Sequence, residues 1–121
     1  MKKFFRLFVF LFMLGLVSCE YDYIVEDIVP PPTPNPDNPT LFSTQVEPIF
    51  QDRCIACHDT RKPVLTTGSA FASLTNGGYI NTDNPQESKV YQRATDGHGN
   101  NMSSAERTLL LQWITEGAKN N

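Results

Sequence analysis

The sequence predicts an all-α domain of about four short helices over residues 41–121. Two Ser/Thr and Glu pairs, at positions 44/47 and 103/106, have the three-residue spacing of a helix capping box. Apolar residues recur three and four positions apart, as on one face of a helix. No stretch alternates apolar and polar residues as a half-buried strand would, so no β-sheet is expected.

The first helix is predicted to begin near Thr44. Thr44 and Glu47 can cap each other's backbone, and Pro48 falls in the first turn, where proline is tolerated. The helix carries the chain directly to Cys54. The apolar stripe expected to face the core consists of Val46, Ile49 and Phe50.

Two shorter helices are predicted in the middle of the domain. One covers residues 69–74 and ends before the glycine pair 77–78, which favours a turn. The other has Asn84 as its cap, Pro85 in the first helical position and Glu87 three residues after the cap. The apolar side chains expected on the two helices are Ala70, Phe71, Leu74, Val90, Tyr91 and Ala94.

The fourth helix has the clearest signals of the four. Ser103 and Glu106 form the second capping box, and Gly117 can end the helix. Trp113 is expected to serve packing, because large aromatic side chains contribute mainly through burial. The stripe expected to be buried consists of Leu109, Leu110, Trp113 and Ile114.

The first 18 residues have the layout of a secretory signal peptide. Three basic residues, Lys2, Lys3 and Arg6, come before an apolar run of 11 residues, 7–17, and the small Ser18. A membrane-spanning helix needs about 20 apolar residues, so this run is too short for one. An N-terminal anchor that stays uncut is the alternative interpretation.

The signal ends in Leu16-Val17-Ser18-Cys19, which resembles the bacterial lipobox. This resemblance implies that the chain is cut before Cys19 and that the Cys19 sulfur receives a lipid. The alternative is an ordinary secretory signal that leaves a free thiol, which is a liability in an oxidising compartment. Glu20 follows, rather than the aspartate associated with inner-membrane retention, which favours the outer membrane.

Residues 19–40 are predicted to form an extended tether. They hold five acidic residues with no basic partner, and six prolines, and such a composition cannot bury a core. Three of the 10 basic residues and none of the 13 acidic ones precede Cys19, so maturation takes the net charge from −3 to −6. An acidic chain argues against nucleic-acid binding and favours a basic contact face on a partner protein.

Cys54-Ile55-Ala56-Cys57-His58 is the C-x-x-C-H signature of covalent haem attachment. Two thiols three residues apart can both reach the vinyl groups on one porphyrin edge, and His58 is then held against the iron. A disulfide oxidoreductase would need a βαβ context, and a zinc site would need four ligands. A disulfide oxidoreductase, a zinc site and a structural disulfide are therefore the alternative interpretations. With Cys19 lipidated, haem attachment uses the two remaining cysteines.

A haem iron held by His58 has a second axial position. Met102 is the predicted distal ligand, since His and Met are a common pair and Met102 is the one methionine after Cys19. His98, four residues earlier in a glycine- and asparagine-rich loop, is the rival, and an open sixth site is the third option. A backbone carbonyl of residues 61–63 is expected to accept a hydrogen bond from the other ring nitrogen of His58.

Together these residues resemble known families. Residues 46–50 followed by Cys54–His58 resemble a class I cytochrome c domain. More closely, the chain resembles the small cytochrome c domains of planctomycete-type and related bacterial proteins, through residues 84–91, Met102, residues 105–106 and residues 113–118. Two positions depart from that pattern. Ser103 stands where proline often follows the ligand Met, and Asp59 stands where glycine commonly follows the haem His.

The resemblance covers nearly all of residues 41–121. It implies an all-α fold, one haem c, His58 and Met102 as axial ligands, and electron-carrier activity. We therefore expect a lipid-anchored, exported monohaem cytochrome that exchanges electrons with partner proteins and is not an enzyme. A haem-based module that binds or senses small ligands is the alternative, and an accessory domain that only binds proteins is a further one.

Overall fold

The computed structural model of the chain describes residues 33, 35–98 and 102–121. The predicted signal peptide 1–18, Cys19, most of the tether and residues 99–101 lie outside the described residues. The described ranges are helical and contain no strand, so the predicted all-α class is confirmed. The α-helices are Glu47–Arg53 (α1), Ile55–His58 (α2), Ala70–Asn76 (α3), Lys89–Thr95 (α4) and Ser104–Thr115 (α5).

Helix α5 begins and ends as predicted. The Ser103 hydroxyl accepts from the Glu106 N–H at 3.2 Å, and the Glu106 carboxylate accepts from the Ser103 N–H at 2.6 Å, which completes the capping box. At the other end Gly117 has φ +96°, and the Ala118 N–H donates to the Trp113 carbonyl at 2.9 Å. That bond, with the Gly117 N–H to the Ile114 carbonyl, is the Schellman arrangement that glycine permits.

The first helical segment begins differently from the prediction. It starts with a π-helical turn, Phe42–Val46, which continues into α1, so Thr44 lies inside the segment and does not cap it. The Glu47 carboxylate accepts from the Gly68 N–H at 2.9 Å instead of capping Thr44. The predicted Thr44 capping box is therefore wrong. The segment is fixed by a distant residue, since the Phe42 and Ser43 N–H groups both donate to Asn121.

Helix α3 confirms the second predicted helix, and its end lies two residues later than expected. Gly78 has φ +66°, and the Tyr79 N–H donates to the Leu74 carbonyl at 3.0 Å, which repeats the Schellman end seen in α5. The predicted glycine stop is therefore present. The bounds are 70–76 rather than 69–74.

The third predicted helix is divided into two pieces. A short 3₁₀ turn, Pro85–Glu87, is followed by a break at Ser88 and then by α4. The Asn84 side chain makes no cap hydrogen bond, so its predicted capping role is wrong. The break has a physical cause: Ser88 is 1% exposed, and its hydroxyl bonds both the N–H and the carbonyl of Asn81.

One apolar core joins all the longer elements. Trp113 lies in its centre, 1% exposed, and its indole N–H donates to the Lys119 carbonyl at 2.9 Å. Its ring centroid is 5.0 Å from that of Phe42. The stripe predicted for α5 is buried except for Leu109, which is half-buried, while Leu111 is buried and was not predicted. The core consists of Phe42, Val46, Ile49, Phe50, Leu65, Ala70, Leu74, Met102, Leu110, Trp113, Ile114 and Ala118.

Within the described ranges, no helix has the length and apolar character needed to cross a membrane.

The C-terminal end of α5 holds the start of the domain. The Thr40 N–H donates to one oxygen of the Glu116 carboxylate at 2.6 Å, and the Gln112 amide donates to the other at 2.9 Å. Burial alone would raise the pKa of Glu116, but these hydrogen bonds outweigh it and lower that pKa. The carboxylate is therefore a stabilising contact at neutral pH.

We predict that Glu116→Gln lowers the free energy of unfolding by about 1 kcal/mol at pH 7, because the hydrogen bonds to Glu116 lose their charge assistance. A depressed carboxyl pKa stabilises the fold above the unfolded value of about 4.3, and this contribution is lost as pH falls through the folded value. The difference between the wild type and the variant should thus shrink as pH falls below about 4.3 and vanish once the pH is below the folded pKa of Glu116. Urea unfolding at several pH values measures it, and a constant difference would contradict the assignment.

Candidate functional site

The two predicted haem thiols lie at the junction between α1 and α2. The chain bends at Cys54, whose φ of −120° separates the two helices, and the Cys57 and His58 N–H groups both donate to the Cys54 carbonyl. Residues three apart on a helical turn lie on the same side, so Cys54 and Cys57 share one face. Cys54 is half-buried and Cys57 is exposed, and both thiols are free.

The half-buried thiol has altered acidity. Burial raises the pKa of Cys54, and the electrostatic influence of neighbouring Cys57 and Glu106 raises it further. At neutral pH Cys54 is therefore held as a thiol more strongly than an ordinary cysteine, which makes it a poorer nucleophile.

The His58 ring is oriented by backbone carbonyls. Its Nδ1 lies 2.9 Å from the Pro63 carbonyl oxygen and 3.2 Å from that of Arg61. Because a carbonyl can only accept, Nδ1 is the donor, and in the neutral ring Nε2 keeps the lone pair that can bind a metal. These are the carbonyls of residues 61–63 that the sequence predicted. The loop is closed by the Leu65 N–H, which donates to the His58 carbonyl at 2.8 Å.

Met102, the predicted distal ligand, is 5% exposed and belongs to the apolar core. Cys54 packs against the same core from its edge. The Met102 carbonyl accepts from the Arg107 guanidinium at 2.8 Å, and the next residue is the Ser103 cap of α5. The peptide between Met102 and Ser103 is thus held by a hydrogen bond to its carbonyl and another to its N–H.

His98, the predicted rival ligand, lies close to His58. The two ring centroids are 6.4 Å apart and the ring planes are inclined by 57°. His98 is exposed, and its N–H donates to the Asp96 carboxylate at 3.0 Å. The two imidazoles are therefore close enough for both to belong to one site.

An ion pair that the sequence did not predict borders the site. Arg53, immediately before Cys54, donates its Nε to Glu106 at 3.0 Å. Glu106 was predicted only as a helix cap. The Ser103 N–H, with help from the Arg53 charge, lowers the pKa of Glu106. No local sequence signal pairs Arg53 with Glu106, because the two residues are 53 positions apart.

Two surface clefts of the described residues lie away from these side chains. One of about 400 Å³ is lined by residues 78–83 with Glu87 and Lys89, and one of about 250 Å³ by residues 83–87 with Leu111 and Thr115. None of these lining residues is a predicted site residue. Among the described residues no three His, Cys, Asp or Glu side chains converge on a metal position. Axial ligation of haem iron needs two protein ligands at most.

Comparisons of the chain with protein-family models, with curated protein sequences and with solved structures gave no match. The resemblance of residues 41–121 to small cytochrome c domains therefore stays a prediction. What the chain can do has to be argued from the site itself, namely two thiols on one face, an imidazole with a fixed tautomer and two candidate distal side chains.

We predict that Cys57 reacts with iodoacetamide several times faster than Cys54 in the haem-free chain, because the thiolate is the nucleophile and burial disfavours it at Cys54. Single-thiol variants, Cys54→Ser and Cys57→Ser, allow each rate to be followed separately by mass spectrometry. Equal rates in the folded chain would contradict the burial of Cys54, and denaturant should make the rates equal.

Proposed function

We propose that this chain is a membrane-tethered monohaem c-type cytochrome that carries electrons by outer-sphere transfer. The observation that carries this proposal is the hydrogen bond from His58 Nδ1 to the Pro63 carbonyl. It leaves Nε2 as a metal-binding nitrogen directly after two free thiols that share a face. A histidine in a plain structural disulfide loop would need no such orientation.

The residues present suit a covalent haem. Cys54 and Cys57 would form the two thioether bonds, and His58 would be the proximal ligand. Cys54 borders the apolar core while Cys57 is exposed, so the attachment face spans the boundary between core and solvent. An edge near solvent is what outer-sphere transfer to another protein requires.

When bound, the haem supplies one-electron exchange at its iron. The protein's own residues tune that exchange. The Pro63 carbonyl holds His58 in one tautomer and raises its basicity as a ligand. A thioether ligand from Met102 would raise the reduction potential relative to a second imidazole. The apolar core, which includes Phe50, Leu110 and Trp113, would exclude water from the haem.

Met102 is the distal ligand we propose. The resemblance to small cytochrome c domains implies it, and its burial keeps the sulfur out of water next to the core that Cys54 also contacts. His98 is the competing ligand, supported by its 6.4 Å separation from His58. The two assignments predict different spectra, because sulfur and nitrogen ligands give different charge-transfer bands.

We predict that the oxidised protein has the near-infrared band of His/Met ligation. Met102→Ala should abolish that band and open the iron to carbon monoxide in the reduced state, whereas His98→Ala, the matched control, should keep it. Near-infrared absorption and carbon monoxide titration measure these outcomes. A bis-His spectrum that His98→Ala removes would overturn the Met102 assignment. Fast, complete carbon monoxide binding to the wild type would instead support a haem-based sensor.

The proposed anchor is a lipid on Cys19, which lies outside the described residues. We predict that Cys19→Ser moves the protein from the membrane fraction to the soluble periplasmic fraction with its haem content unchanged. Ser18→Ala, which keeps the small residue before the cysteine, is the control and should leave the protein on the membrane. Immunoblots of fractionated cells and the intact mass of each protein check this prediction. A Cys19→Ser protein that has lost residues 1–18 and still stays on the membrane would contradict it.

A further inference from the structure

One carboxylate joins the two sides of the candidate site. Arg53 is the residue before Cys54, and Ser103 is the residue after Met102. Glu106 contacts both: one carboxylate oxygen accepts from Arg53 Nε at 3.0 Å, and the other accepts from the Ser103 N–H at 2.6 Å. The segment that attaches the haem and the segment that carries the distal ligand are thus connected by one side chain.

The ion pair between Arg53 and Glu106 is partly shielded from solvent. The side chains of Arg53 and Glu106 are 37% and 20% exposed, and their Nε and carboxylate oxygen are 3.0 Å apart. Glu106 lies in the first turn of α5, where a carboxylate is also favoured by the helix dipole. Because each oxygen has a different partner, Glu106 cannot move without releasing one of them.

We infer that Glu106 is a positioning residue that, through Arg53 and Ser103, holds the Met102 segment in a fixed place relative to Cys54 and so controls how firmly the distal ligand stays bound. The inference rests on the proposed function, since it concerns the ligation of a haem held at Cys54 and Cys57. A second contact acts on the same peptide, because the Arg107 guanidinium donates to the Met102 carbonyl at 2.8 Å.

A plain stabilising role for Glu106 as a helix cap is the competing explanation, and the chain offers a matched control for it. Glu116 lies at the other end of α5, also accepts a backbone N–H at 2.6 Å and also has a lowered pKa, but it holds Thr40 rather than the site. Glu116→Gln should therefore lower stability without changing the ligation.

The test compares Arg53→Gln, Glu106→Gln and Glu116→Gln in the haem-loaded protein. Arg53→Gln leaves the capping box intact and removes only the connection to the Cys54 side. We expect Arg53→Gln and Glu106→Gln to raise the rate of carbon monoxide binding to the reduced protein about fivefold and to weaken the sulfur–iron band. Glu116→Gln should change neither quantity, and Arg53→Lys, which restores the charge, should recover part of the wild-type behaviour.

Each outcome separates the inference from the proposed function. A wild type without covalent haem refutes the proposed function itself. A wild type with haem but without the sulfur–iron band contradicts both the Met102 assignment and this inference. If the wild type has both, and Arg53→Gln and Glu106→Gln behave like Glu116→Gln, the proposed function stands and the positioning role of Glu106 is overturned.

Discussion

Helix α5 fixes both ends of the first helical segment, residues 42–53, through two carboxylates ten positions apart. Glu116 holds Thr40, just before the segment begins, and Glu106 holds Arg53, where the segment ends. Between these contacts Phe42 packs on Trp113. The segment therefore begins beside the C-terminal end of α5 and delivers Cys54 beside its N-terminal end. The position of Cys54 relative to α5 depends on this pairing.

This arrangement also keeps Thr40 away from the candidate site. The residue at which the predicted tether ends, Thr40, lies at one end of α5, and the thiols and distal side chains lie at the other. A 12-residue helix is about 18 Å long, so Thr40 and the candidate site lie near opposite ends of α5. An electron carrier held in this way would present its site away from the point where the chain enters the domain.

Sequence reasoning succeeded where local signals and tertiary contacts agree. The capping box of Ser103 and Glu106, the glycine ends at Gly78 and Gly117, and the carbonyl that orients His58 all involve residues within a few positions of each other. It failed at Thr44, because Asn121 fixes the start of the first segment from 79 positions away. The Asn121 side chain accepts from the Phe42 N–H, and the Asn121 carbonyl accepts from the Ser43 N–H at 3.0 Å. The Arg53–Glu106 pair was missed for the same reason.

In the candidate site, too, local features were predictable from the sequence and long-range ones were not. Cys54, Cys57 and His58 come from five consecutive residues, so their juxtaposition is set by one turn of helix and was readable from the motif. The distal ligand depends on whether the fold places Met102 or His98 opposite His58, and spacing along the chain cannot decide that. Met102 is buried by the core, while His98 stays exposed near His58.

The most direct test asks whether the mature polypeptide holds a porphyrin by covalent bonds. The chain is produced in a host that attaches haem to C-x-x-C-H proteins, unfolded and extracted with acidified acetone, and a pyridine haemochrome spectrum is then recorded on the protein residue. The account predicts one haem per chain that stays with the polypeptide and gives the spectrum of two thioether bonds. A colourless chain, or haem that leaves with the solvent, would contradict it.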